Sequence, residues 1–347
     1  MAKDSYIGPS HIQQILFNLA AFVIVVAGIR ASSDILIPFL LAVFISVIAN
    51  PLVKKLHSRG IPTIGAILLV ILAIIAIGIG VTSLLGNSLN DFSDNLPMYK
   101  QMINNSASNF FKFFEDFGLQ ISGSLIIERF DPGAIMSLTS SILSGLGGVL
   151  SNSLLILLMV VFMLLEATIF KYKLRHVFGN QMNGANQVDS FSDTVNQYML
   201  IKTGISIMTG IIASIWLIIL GVDYPLLWGL LTFLFNYVPT IGSIIAAIPP
   251  SLLALIQFGV VSSLLSAVGY LVINIIIGSI LEPRILGRGL GLSTLVVFLS
   301  LLFWGWVFGP VGMILSVPLT MTIKIALSNS TSGKWISTLM DSQVFQR

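Results

Sequence analysis

Pro225–Leu255 reads PLLWGLLTFLFNYVPTIGSIIAAIPPSLLAL, an apolar stretch that carries Asn236, Pro239, Gly242, Pro249 and Pro250 inside it. A second stretch, Leu292–Leu327, carries Gly309, Pro310, Gly312 and Pro318 at its middle. Both exceed the roughly 20 residues that span a bilayer. Both place a proline, then a glycine two or three residues on, then another proline. Such stretches are two half-helices or kinked full spans. Backbone freed from helical hydrogen bonding inside lipid must be satisfied by protein or by a water-filled cavity, and paired broken helices point to a transporter's substrate site. Transport is therefore the leading reading.

Composition places the chain in the membrane before any motif does. Hydrophobic residues make up 56% and charged residues 9%, and the mean hydropathy is +0.98. A water-soluble domain of this size does not carry that balance. Cysteine is absent, so there is no disulfide or thiolate metal site, and His11, His57 and His176 lie too far apart to suggest a metal. No cofactor and no nucleic-acid partner are expected. Gly333-Lys334 lacks the rest of a P-loop, and neither H-E-x-x-H nor G-x-S-x-G occurs. These absences disfavour a pump driven by ATP and an intramembrane enzyme.

The expected fold is all-α and polytopic. It has about eight membrane segments, two of them broken or re-entrant hairpins, and an amphipathic helical extracytoplasmic appendage. Residues 1–85 form the N-terminal transmembrane helices, with a hairpin turned at Arg30–Asp34 and a basic loop at Lys54, Lys55 and Arg59. Residues 86–145 are the appendage, where Phe92, Leu96, Tyr99, Ile103, Phe110, Phe114, Phe117 and Ile121 recur at helical steps. That stripe is expected to pack on the protein's own helices. Residues 146–330 form the C-terminal core with both broken stretches, and 331–347 a cytoplasmic tail.

Lysine and arginine asymmetry sets the orientation. The basic loop and the group Lys171, Lys173, Arg175 both fall inside if the N-terminus is cytoplasmic. Hairpins entering from opposite faces would put Arg284 and Arg288 inside as well, whereas two kinked full spans would put them outside. The positive-inside rule favours the hairpins.

Tyr198 with Lys202, Gly221-Val222, Trp228-Gly229, Asn236-Tyr237-Val238-Pro239-Thr240-Ile241-Gly242, Glu282-Pro283-Arg284-Ile285-Leu286-Gly287 and Phe303 to Leu319 resemble the autoinducer-2 exporter family, also called PerM-type permeases. Pro38, Pro51 and Gly60-Ile61-Pro62 extend the resemblance over nearly the whole chain. One departure is Thr294, where such proteins often carry proline. The resemblance implies a multi-pass protein of the bacterial inner membrane, and the charge asymmetry puts both termini in the cytoplasm. It implies a secondary transporter of a small polar solute, autoinducer-2 or a related signal, and no enzyme. The alternatives it leaves open are a sodium or lithium/proton antiporter and a channel-like membrane protein. Expected partners are membrane lipid, the solute, Na+ or H+ as coupling ion, and further copies of the chain in a homo-oligomer.

Candidate substrate-pathway residues are Asn236, Pro239, Gly242, Asn274, Pro310 and Gly312. The Asn236 amide can hold a freed carbonyl or a polar solute, or simply cap the break. Glu282 and Arg284 flank Pro283 and are candidates for a gate or an ion-coupled pair, since ionisable groups at membrane depth are functional hypotheses by default. A structural salt bridge fixing the turn is the competing reading. Glu166 lies near Lys171 and Lys173 in sequence and is a candidate partner for Lys202. Asp223 reads as a solvated turn residue. Gly78, Gly80, Gly147, Gly148 and Gly210 read as positions of close helix packing.

Overall fold

The computed structural model describes residues 11–116, 152–178, 182–238, 241–286, 292–328, 330 and 333–341. Among these every regular element is helical: α1 (His11–Ala31), α2 (Ser33–His57), α3 (Thr63–Asp116), α4 (Ser153–Phe178), α5 (Met182–Leu220), α6 (Pro225–Phe235), α7 (Ile241–Phe258), α8 (Val260–Ile273), a π-helical segment Asn274–Leu281, α9 (Glu282–Leu286), α10 (Thr294–Ser328) and α11 (Lys334–Leu339). Six helical stretches are long and apolar enough to cross a membrane, and 16–31, 153–167 and 225–235 are shorter apolar helices.

The first broken stretch is a hairpin. α6 ends at Phe235 and α7 begins at Ile241, and between them Val238 N–H donates to the Phe235 carbonyl at 2.8 Å. The two far ends meet again. Asp223, just before α6, donates its backbone N–H to Gln257 Oε1 at 3.2 Å, and the Gln257 amide donates to the Asp223 carboxylate. α5 runs antiparallel to α6, and their backbones come close where Gly210 opposes Gly229. A Cβ on Gly210 would lie 2.7 Å from the Gly229 carbonyl oxygen, so only small residues permit this crossing. After a turn at Gly259, α8 runs back along α7, with Ser263 Oγ donating to the Ser251 carbonyl at 2.8 Å.

The second broken stretch is also a hairpin, although its backbone is continuous through α10. Gly309 holds φ 64° and ψ −147°, a conformation open mainly to glycine, and the chain reverses there. Trp304 Nε1 donates to Thr320 Oγ1 at 3.0 Å across sixteen residues, a pair that a straight helix would hold about 24 Å apart. Arms 294–308 and 310–328 therefore lie side by side. Despite the departure from proline at Thr294, the first arm starts there, its N-terminus capped where Val296 N–H donates to Ser293 Oγ at 3.3 Å.

The two hairpins enter from opposite ends of the helical bundle. The mouth of the first is fastened to α3 through Asn95 and Tyr99, far along that helix from the basic loop. The mouth of the second follows α9, beyond the opposite end of α8, and is closed by α11: Ser293 N–H donates to the Met340 carbonyl at 2.9 Å, and Lys324 pairs with Asp341 at 3.2 Å. Its tip, at Val307 and Phe308, packs against Val26, Ile29, Leu36 and Ile37 around the α1–α2 turn. Arg30 lies 4.3 Å over the Trp306 ring there.

The segment expected as an appendage begins as a direct continuation of the third span, because α3 is one helix from Thr63 to Asp116. Phe92 and Tyr99 are buried and Leu96 partly so, in a core shared with α5, α6 and α7. Residues 117–151, which hold Phe117, Ile121 and Gly147-Gly148, lie outside the described residues, as do the side chains of Ile103, Phe110 and Phe114 on α3. Gly78 and Gly80 meet no neighbour within 4 Å, so close packing is not their role here.

Candidate functional site

Polar side chains gather where the tip of the first hairpin meets α5. Asn236 Nδ2 donates to Ser206 Oγ at 2.9 Å, and the Tyr237 hydroxyl donates to Thr203 Oγ1 at 2.8 Å. Thr203 in turn donates to the Met199 carbonyl at 2.7 Å. Lys202 stands on the same turn of α5. Its ammonium donates to Glu282 Oε1 at 2.5 Å, and the two side chains are 4% and 17% exposed. Tyr237 also meets the Phe44 ring edge-on at 5.7 Å, and Phe44 lies near the midpoint of α2. The ion pair and hairpin tip thus sit level with the middle of a membrane-spanning helix.

This corrects two expected pairings. Glu282 is joined to Lys202 of α5 and not to Arg284, whose side chain is exposed two residues further along α9. A gate made by Glu282 and Arg284 has the wrong cation, because a helix turned by Pro283 sends neighbours two apart to different faces. Lys202 likewise pairs with Glu282 and not with Glu166, which is exposed near the middle of α4. The side chains of Lys171 and Lys173 lie outside the described residues, as do Pro239 and Arg288.

The remaining candidates fall around the two tips. Gly242 and Gly312 are the closest approaches in each hairpin: a Cβ on Gly242 would lie 1.9 Å from the Phe235 carbonyl oxygen, and one on Gly312 would lie 1.9 Å from that of Trp304. Pro310 is exposed and opens the second arm. Asn274 opens the π-helical segment and, with Ser243, Ser251 and Tyr270, lines a groove between α7 and α8. Thr203 and Ser206 were not singled out from the sequence. Their signal was their spacing from Lys202, on a helix otherwise uncharged from Ile201 to Leu220.

Asp223 is not a solvated turn residue. Besides Gln257, its carboxylate accepts from the Tyr99 hydroxyl at 2.7 Å, and its carbonyl accepts from Trp228 Nε1 at 2.9 Å. Tyr224, with φ 59°, accepts from Asn95 Nδ2 at 3.0 Å. The network clasps α3 to the hairpin mouth.

The site thus joins buried opposite charges to a polar hairpin tip, with a second hairpin entering from the other end of the bundle. The family model described as AI-2E family transporter matches residues 19–332. The chain belongs to that family. It is 41% identical over 327 residues to the AI-2 transport protein TqsA of Escherichia coli (strain K12), covering 94% of this chain and 95% of the relative. It is 39% identical to a transport protein of Haemophilus influenzae, covering 97% of this chain and 99% of the relative, and 36% identical to the transport protein YhhT of E. coli (strain K12), covering 94% and 93%. This chain is thus an all-α, multi-pass membrane transporter.

Proposed function

We propose that this protein is a secondary transporter of the bacterial inner membrane, with both termini cytoplasmic, that exports a small polar solute. Autoinducer-2 is the first candidate, because one relative is named for transport of AI-2. The observation that carries the proposal is the buried Lys202–Glu282 pair beside the Asn236–Ser206 contact. A charge pair this enclosed is costly to desolvate. In a membrane helix, ionisable groups mark transport pathways and proton relays. In this reading Glu282 exchanges Lys202 for a proton or a sodium ion as the hairpin tips rearrange, and the solute occupies the polar surface of Asn236, Thr203 and Tyr237. The reading involves no catalysis. Self-association into a homo-oligomer belongs to the same reading, and the mass of the particle in nanodiscs tests it.

The orientation rests on Lys54, Lys55 and Arg59, which are exposed at the α2–α3 loop and fit the positive-inside rule. A cysteine placed at Ser58 is expected to react only with reagent that has entered the cytoplasm. Counterflow in proteoliposomes tests transport without assuming the energy source: vesicles preloaded with autoinducer-2 should take up labelled autoinducer-2 transiently above equilibrium. The ion pair also suits Na+/H+ exchange, the second reading. Dye-reported proton movement on adding Na+ to vesicles without solute would favour it, and absence of both signals would overturn transport by either route.

A further inference from the structure

α2 and α3 are joined by the tight turn 58–62 and diverge from it, leaving a groove of about 490 Å³ between them. Ile45, Ile48, Ala49 and Leu52 of α2 face Leu69, Ala73 and Ile77 of α3 across it, and the charged lining residues among those described are Lys55 and Arg59. The cations stand at one end, because Lys55 lies in the last turn of α2 and Arg59 in the turn that follows. Among the described residues no carboxylate lines the groove. Asp34 is at the other end of α2, about 30 Å away along the helix axis. Leu52, Leu69 and Ile77 are 52%, 49% and 65% exposed, so the slot opens sideways from the bundle. Its floor adjoins the packed face of α2, where Ala42, Ala49 and Val53 meet α4, and Ala49 belongs to both.

We propose that this groove binds one anionic diacyl phospholipid, with an acyl chain between α2 and α3 and the phosphate against Lys55 and Arg59. The aliphatic slot accepts the chain by area burial alone. Two cations at its mouth and no anion select a negatively charged headgroup, since basic pockets between membrane helices complement the anionic leaflet. Charge and apolar surface lie along one line, in the order in which a lipid in the leaflet presents them. A soluble anion would use only the cationic end, and an apolar helix only the slot. The bound lipid would brace α2, whose middle carries Phe44 against the hairpin tip.

The test is native mass spectrometry and lipid titration of the full-length, delipidated protein. Phosphatidylglycerol is expected to give a saturable one-per-chain adduct, and phosphatidylcholine of the same chain length a much weaker one. Lys55→Gln with Arg59→Gln is expected to weaken phosphatidylglycerol binding about thirty-fold. Ala73→Phe, which fills the slot and leaves both cations, should weaken both lipids alike. Because these changes lie on exposed surface, helical content by circular dichroism should stay at the wild-type value. Glycerol phosphate at millimolar concentration should not displace the lipid. Equal binding of the two lipids, or binding unaffected by either variant, would overturn the proposal. Displacement by glycerol phosphate would show a simple anion site, and loss of oligomer mass in Ala73→Phe with lipid adducts retained would show an interface between copies. Either of these results would also overturn it.

Discussion

Replacing Glu282 with leucine separates the structural from the functional value of the buried pair. Lys202 keeps only 4% of its side chain exposed, so the variant leaves an ammonium with no counter-charge in an apolar surround. Breaking such a pair costs about 3–5 kcal/mol. Lys202→Met is milder, because the Glu282 side chain is 17% exposed and its carboxylate can turn toward water; about 1–3 kcal/mol is expected. The double variant Lys202→Met/Glu282→Leu removes both desolvation costs and is expected to match the wild type or exceed it by about 1–4 kcal/mol. Unfolding in bicelles gives the three stabilities, and the double-mutant cycle isolates the coupling. Counterflow is measured on the same preparations. All three variants should fail to transport, although the double variant is well folded. If the two single costs simply add in the double variant, the side chains are not coupled and the geometry is misread. If the double variant transports normally, the pair is structural and the carrier reading loses its support.

Three further outcomes follow from the same geometry. Gly242→Ala and Gly312→Ala each press a methyl onto a backbone carbonyl at 1.9 Å, which no rotamer can relieve; each should cost about 1–3 kcal/mol or more, read as a lower unfolding midpoint. Asn236→Leu removes the donor to Ser206 Oγ, costs about 1–3 kcal/mol, and should lower counterflow at least tenfold while membrane insertion, followed by glycosylation or protease mapping, stays normal. Arg284→Gln alters an exposed side chain that does not touch the Glu282 pair, and flux within twofold of wild type is expected. A large loss there would restore Arg284 to the gate.

The helical, membrane-spanning character was legible from composition, because an apolar chain with so few charges has few soluble alternatives. The hairpins were legible as breaks and not as folds. Proline and glycine mark where helical hydrogen bonds end, and they do so equally in a kinked span. What distinguishes a reversal is a contact across it. Gly309 at φ 64° turns the chain, and the Trp304–Thr320 hydrogen bond shows the return. Neither residue of that pair advertises the other at a separation of sixteen. The positive-inside rule pointed to hairpins because it weighs position across the membrane and not local conformation.

The site was legible by residue and not by partner. Lys202 and Glu282 were both singled out, yet Glu282 was matched to its sequence neighbour Arg284 and Lys202 to Glu166 on another helix. Membrane energetics offered a better rule. A lone charge in an apolar helix is costly wherever it sits, whereas Arg284 on the exposed short helix and Glu166 near a basic cluster can reach water. The two groups with the poorest access to water have the greatest need of each other. That need, and not sequence distance, joins α5 to α9 across eighty residues. The same reasoning explains Asp223, whose carboxylate takes its donors Tyr99 and Gln257 from α3 and α7. A carboxylate drawn into a helix junction must gather donors from the helices around it, and those donors are set by packing that no local pattern records.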